Sequence, residues 1–217
     1  MDVVVAGGHG QIGLRLLRLL AARGDRARGL IRNPAQADDL RAAGAEPVVA
    51  DLEDAAVDVA AAIDGADAVV FAAGAGPGSG VERKATMDRD GAIRLVEAAK
   101  AVGAQRYVIV SSMNADHPER ATDDVFRAYL EAKGAADDAV RASGLAFTVV
   151  RPGRLTNDAP TGLVEASAHL ERFGEITRDD VAATLVAVLD TPGTAGVTFD
   201  LLAGDTPVAD AVWALAR

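Results

Sequence analysis

Val3-Val4-Val5-Ala6-Gly7-Gly8-His9-Gly10-Gln11-Ile12-Gly13 runs from a β-branched stretch through a glycine cluster into a segment of helical periodicity. Gly7, Gly10 and Gly13 are spaced G-x-x-G-x-x-G. A strand that feeds such a turn and then a helix is the context in which glycines bring main-chain N–H groups close to a pyrophosphate. The positive end of the helix then faces the anion. Without a ligand the same stretch would be a tight strand–helix turn.

Reading outward, short β-branched runs alternate with longer Ala/Leu/Arg-rich stretches along the whole chain. Strands are expected at 2–6, 28–32, 46–50, 68–72, 106–111, 146–151 and 198–202. Helices are expected at 11–23, 34–43, 55–63, 88–102, 123–143 and 178–189, with a last one opened by Thr206-Pro207. Most of the strand runs are continuously apolar rather than alternating, as strands buried on both faces require. Regular β–α alternation therefore predicts an α/β fold, a doubly wound parallel sheet with helices on both faces, in one domain spanning 1–217. Gly24, Gly44, Gly65, Gly103 and Gly144 each follow a helical stretch, where a left-handed residue ends a helix. Thr177 followed by Asp180 is close to a capping box. The loosest stretch is 153–175, read as a loop just past a strand, with a small substrate-facing region around 153–176.

Composition excludes several classes. The 217 residues include no cysteine, so disulfides, thiol nucleophiles and Cys-ligated metals are ruled out. His9, His117 and His169 are too scattered for a histidine metal site, and no metal is expected. A domain of this length buries roughly 70% of its unfolded surface and needs no staple. The net charge of −10 disfavours nucleic acid and anionic membrane surfaces. No apolar run approaches a membrane span and no secretory signal is visible, so a cytoplasmic location is expected.

The second strand bears on cofactor choice. NAD-binding folds place an acidic residue about 20 residues beyond the glycines, on the ribose 2′-hydroxyl. Here the strand ends in Arg32, whose guanidinium suits a 2′-phosphate; this favours NADP(H) over NAD(H), with Arg15 as a second candidate cation. A solvated strand-end arginine is the alternative. Asp51 and Leu52 follow the third strand, where the carboxylate can accept from an adenine amino group. Ala72, Ala73 and Gly74 end the fourth, where small residues let a cofactor pass close.

Tyr129 and Lys133 lie four apart on a helical segment, hence on one face. A nearby ammonium lowers a phenol's pKa and suits it to proton exchange with a carbonyl or alcohol oxygen. A half-buried tyrosine with a snorkelling lysine would look the same. Ser111 and Ser112 end the fifth strand upstream, and either hydroxyl is a candidate for holding a substrate oxygen.

Taken together, the glycine loop, Ile31-Arg32-Asn33-Pro34, Asp51-Leu52, Phe71-Ala72-Ala73-Gly74, Asp90-Gly91-Ala92, Val110-Ser111-Ser112, Tyr129 with Lys133, Val150-Arg151-Pro152-Gly153 and Ile176-Thr177-Arg178-Asp179-Asp180 resemble the short-chain dehydrogenase/reductase superfamily. The resemblance is to its atypical NAD(P)-binding branch of NmrA-like, YhfK-like and flavin/biliverdin-IX-beta-reductase-like proteins, and covers essentially the whole chain. It implies a three-layer Rossmann-type sandwich with sheet order 3-2-1-4-5-6-7 and NADP(H) across the C-terminal edge. It implies Gly7, Gly10, Gln11, Ile12 and Gly13 at the pyrophosphate, Arg32 at the 2′-phosphate, and Pro152 and Gly153 at the nicotinamide end. Tyr129 becomes the acid/base, Lys133 its electrostatic partner and ribose anchor, and Ser112 the oxygen-holding group. Ser111, Lys84 and Asp88 fall near the cofactor or substrate.

The expected activity is hydride transfer between NADPH and a small carbonyl, quinone or flavin-like molecule. The alternatives are a non-catalytic NADP(H)-binding redox sensor with a protein partner, and an epimerase using the cofactor transiently. The expected partner is a small-molecule substrate, for a monomer or homodimer.

Overall fold

The computed structural model describes residues 1–76 and 78–216. β1 (Asp2–Ala6) leads through the glycine turn into α1 (Gln11–Ala22), then β2 (Arg26–Ile31), α2 (Ala37–Ala42), β3 (Glu46–Val49), α3 (Val59–Ala62) and β4 (Ala68–Phe71). A single turn, α4 (Val81–Arg83), continues as π-helix through Lys84–Gly91 into α5 (Ala92–Ala101), followed by β5 (Arg106–Val110), α6 (Asp124–Ala142) and β6 (Phe147–Pro152). Three short strands follow: β7 (Arg154–Thr156), β8 (Leu163–Ser167) and β9 (Glu175–Thr177). The chain closes with α7 (Arg178–Asp190), β10 (Val197–Ala203), β11 (Thr206–Pro207) and α8 (Val208–Leu215).

The main sheet runs β11-β8-β10-β6-β5-β4-β1-β2-β3. From β3 to β10 every pairing is parallel, so the expected order 3-2-1-4-5-6-7 is present with β10 as the seventh strand. β8 and β11 extend it antiparallel beyond β10. β7 and β9 pair apart from it.

The inner parallel strands β1, β4, β5 and β6 are buried on both sides, which is why their sequences do not alternate, whereas the edge strand β3 is partly exposed. Val3 and Val5 of β1 face a core shared with Leu16, Leu17 and Leu20 of α1 and Val181, Leu185 and Val188 of α7. Val4 and Ala6 face the opposite core, with Leu95 and Val96 of α5 and Val140 of α6. The cleft between the C-terminal ends of β1 and β4, where the strand order reverses, is where such folds bind ligands.

Predicted strand ends shift by one or two residues, and larger differences have local causes. The helix expected at 55–63 shrinks to α3, because Asp51 and Asp54 accept from the N–H groups of Glu53 and Ala56 (2.9 Å each) and hold turns instead. The helix expected from 88 starts earlier, as the π-helical run. The stretch 153–175 is not a loop but holds β7, β8 and the start of β9. Thr206 and Pro207 pair with Val164 and Leu163, and Pro207 stands at the N-cap of the last helix, which therefore starts without a side-chain hydrogen bond and with Val208, not Pro207, as its first residue. The five helix-ending glycines all have positive φ, and Thr177 accepts from the Asp180 N–H at 3.0 Å, as its sequence predicts. Among the described residues no helix is long and apolar enough to cross a membrane.

Candidate active site

The glycine turn is built for close approach. Gly7 sits at φ +80°, and a Cβ there would lie 2.7 Å from the backbone of Ala73 at the end of β4. A Cβ on Gly13 would come closer than 3.0 Å to the Gly7 carbonyl oxygen, so α1 rests directly on the turn. Gly10 caps α1 with no side chain, and no acid occupies the first helical turn. The first-turn N–H groups, including those of Gln11 and Ile12, have no intrahelical acceptor and present the positive end of the helix. This uncapped terminus, with the space that missing Cβ atoms leave, fits the pyrophosphate of a dinucleotide.

A cavity of about 260 Å³ opens beside the turn, lined by Gly7, Gly10, Arg32, Asp51, Leu52 and residues 72–75 among others. The half-exposed Arg32 guanidinium is 3.7 Å from a Glu53 carboxylate oxygen. Arg83 reaches the same oxygen at 3.2 Å, and Thr86 donates to the other at 2.6 Å. Burial alone would raise the Glu53 carboxyl, but the Thr86 hydroxyl and the two guanidiniums outweigh it and hold it below the usual carboxylate range. Arg15 does not join this corner. It is tied to Asp179 at 2.8 Å and to the Gln11 carbonyl, on the α7 side of α1.

A second cavity, about 490 Å³, shares residues 72–75 with the first, so the two form one cleft with a common floor. Ile12, Val110, Phe126 and Leu155 give it apolar walls, and Tyr129, Lys133, Lys84, Asp88 and Ser111 supply the polar groups. Asp123 caps α6 by accepting from the Phe126 N–H at 2.8 Å. The helix then presents Phe126, Tyr129 and Lys133 along one face. Phe126 stacks on Tyr129, ring centroids 6.0 Å apart. Two of the chain's three lysines converge on the phenol ring, with Lys84 Nζ 5.2 Å and Lys133 Nζ 5.8 Å from its centre.

Lys133 is buried. Its ammonium donates to the Val110 carbonyl at 3.1 Å and pairs with the buried Asp88 carboxylate at 3.3 Å, while the other Asp88 oxygen accepts from the Ala75 N–H at 3.2 Å. The net effect on Tyr129 reverses the expectation of a lowered pKa. Burial raises the phenol and Asp88 adds to it; the Lys133 ammonium and the Ser112 hydroxyl pull the other way and are outweighed.

The two serines separate. Ser111 is buried and lines the second cavity, and its hydroxyl makes no hydrogen bond among the described residues; nearby, the buried Asp137 carboxylate is held by Arg151 at 3.0 Å. Ser112 is half-buried, lines neither cavity, and donates its hydroxyl to the Met113 carbonyl at 3.2 Å. Pro152 and Gly153 line neither cavity, contrary to expectation. Gly153 lacks a side chain because the Gly174 backbone and Leu202 occupy that space, and Leu155 reaches the cleft instead. Phe126 is missed by the sequence reading, though its spacing three before Tyr129 could have found it, whereas Arg83 and Glu53 carry no local signal.

The fold, the uncapped glycine turn and the two-part cleft define a Rossmann-type NAD(P)-binding protein, oxidoreductase-like in its architecture. The chain belongs to the NAD(P)H-binding family, which it matches over residues 7–192, within the atypical short-chain dehydrogenase/reductase superfamily. It is 43% identical over 213 residues to the uncharacterized sugar epimerase YhfK of Bacillus subtilis, covering 98% of this chain and 99% of that one. It is 32% identical over 203 residues to the ceramide reductase of Caulobacter vibrioides, covering 88% of this chain and 61% of that one. A solved Bacillus halodurans structure, classed among NAD-dependent epimerases/dehydratases, superposes with a TM-score of 0.92 at 40% identity over 98% of both chains.

Proposed function

We infer that the protein is an NADP(H)-dependent oxidoreductase acting on a small carbonyl, quinone or flavin-like acceptor. When bound, the nicotinamide supplies the hydride. The glycine turn and the N-terminus of α1 hold the pyrophosphate, Asp51 and Leu52 flank the adenine, and Ala72, Ala73 and Gly74 form the floor. Arg32 takes the 2′-phosphate, which gives the preference for NADP(H) over NAD(H). In the second cavity the Tyr129 phenol, kept protonated by burial, gives its proton to the acceptor oxygen. Lys133 steadies the phenolate that results and offers its remaining donor to a ribose hydroxyl. Ser112, with its hydroxyl turned from the Met113 carbonyl, holds the acceptor oxygen beside the phenol, and the apolar walls exclude water.

The observation that carries this reading is a phenol with two lysine ammonium groups over its ring, in a cavity that shares residues 72–75 with the glycine-turn cavity. A relative named as a reductase supports the same class. The test is NADPH consumption against a panel of carbonyl, quinone and flavin acceptors. Tyr129→Phe should lower turnover by about 10²-fold or more while retaining NADP⁺ affinity. Undiminished turnover would point to direct hydride transfer without the phenol. No turnover, with a conformation that differs between NADP⁺ and NADPH, would replace the enzyme by a sensor.

A further inference from the structure

Arg32 and Arg83 come from distant parts of the chain, the end of β2 and the end of α4, yet both line the first cavity. Both share one oxygen of Glu53, at 3.7 and 3.2 Å, while Thr86 occupies the other. Two guanidiniums against one carboxylate leave one positive charge over, on a cavity wall of a chain whose net charge is −10. Asp51 puts a second carboxylate on that wall, but it accepts from the Glu53 N–H at 2.9 Å and makes no ion pair with either guanidinium among the described residues; His9 is paired with Asp39 at 2.7 Å. The second terminal nitrogen of Arg83 donates to the Ala75 carbonyl at 3.4 Å. The guanidinium is thus held at both ends, with its plane fixed at the cavity wall.

We propose that Arg83 is a second reader of the cofactor's 2′-phosphate, forming with Arg32 a two-arginine site for a ribose phosphomonoester, with Glu53 as the clasp that holds both side chains in place. This rests on the NADP(H) reading above and goes beyond it in the residue and the geometry. Two preset guanidiniums meet a dianion with parallel charge-assisted hydrogen bonds, which a 2′-hydroxyl cannot answer.

The test measures binding and needs no acceptor. Isothermal titration with 2′,5′-ADP and with 5′-AMP, which differ only in the 2′-phosphate, separates that group from the rest of the nucleotide, and 5′-AMP binding serves as the folding control. In the wild type, 2′,5′-ADP should bind tighter than 5′-AMP. Arg83→Ala and Arg32→Ala should each weaken 2′,5′-ADP by about ten-fold or more, the weight of a charge-assisted hydrogen bond, and leave 5′-AMP unchanged. Arg83→Lys should recover part of the loss. If Arg32→Ala weakens 2′,5′-ADP selectively and Arg83→Ala does not, the Arg83 assignment fails while the cofactor preference stands. If Arg83→Ala weakens both nucleotides equally, Arg83 only supports the loop and the assignment fails. If the wild type binds both nucleotides alike, the NADP(H) preference itself falls.

Discussion

Lys133 and Asp88 form a buried ion pair, 3.3 Å apart, that joins the middle of α6 to the π-helical run before α5. The pair explains how Tyr129 can sit near an ammonium and still have its phenol raised. Asp88 cancels much of the positive charge that would favour the phenolate, and burial supplies the rest. Asp88 also holds the Ala75 N–H, so it ties the floor of the cleft to the lysine. Asp88→Asn keeps the shape but removes the charge. The Tyr129 phenol should then titrate at lower pH in an ultraviolet difference titration, because the carboxylate that raises it is gone. Stability should fall by about 3 kcal/mol in urea unfolding, the cost of leaving one member of a buried pair alone. A phenol transition that stays in place or moves upward would show that Asp88 does not set the acid.

The chain's two tyrosines also set an alkaline limit. Burial raises the Tyr107 phenol, which is fully buried, and burial raises Tyr129 as well, both from an ordinary value of 10.0. In the unfolded chain both ionise near that value, so the unfolded state releases protons first as pH rises. The stability that the two protonated phenols carry is complete below about pH 10 and is lost as pH climbs towards the folded-state values. The urea midpoint should therefore hold steady up to about pH 9 and drop steeply above about pH 10. Tyr107→Phe should flatten most of that drop. A midpoint that falls equally steeply in Tyr107→Phe would place the alkaline sensitivity elsewhere.

What could be read in the sequence follows the range of the forces involved. The turn from Gly7 to Gly13 was legible because its glycines, strand and helix are contiguous. Tyr129 and Lys133 were legible because four residues on a helix share a face. The extra strands were not. β8 is five residues long and finds its partners in β10 and β11, through pairs such as Glu165 with Leu202 and Val164 with Thr206. No local pattern announces such a pairing. The serines illustrate a second limit. β5 is buried on both faces, so its sequence has no polar–apolar alternation from which to read which way Ser111 and Ser112 point. The structure leaves the Ser111 hydroxyl without a hydrogen-bond partner among the described residues, beside the second cavity, and turns the Ser112 hydroxyl to the Met113 carbonyl. Lys133 with Asp88, and Arg83 with Glu53, are joined only by the folded sheet, and only the Arg32 end of that second cluster was legible from its strand.

Gly134 offers a test in which local propensity and tertiary packing predict opposite signs. It lies in the middle of α6, where replacing glycine by alanine ordinarily stabilises a helix by about 1 kcal/mol. Here a Cβ would come closer than 3.0 Å to the carbonyl oxygen of Ala115, in the turn that leaves β5 just after Ser112 and Met113. That turn includes Asn114 at φ +62°, a left-handed conformation, with its side-chain oxygen accepting from Arg120 at 3.1 Å, so it has little freedom to withdraw. The close approach sets the distance between α6 and the end of β5, and with it the position of Lys133 against the Val110 carbonyl and of Tyr129 against Ser112. Gly134→Ala should therefore destabilise the fold by about 1–3 kcal/mol in urea unfolding, as overpacking does, rather than stabilise it. Because α6 must move outward to make room, NADPH-dependent turnover should fall further than 2′,5′-ADP affinity, since the first cavity contains no residue of α6. A more stable variant with unchanged turnover would mean that the turn yields freely, and that the spacing of α6 from β5 is set elsewhere.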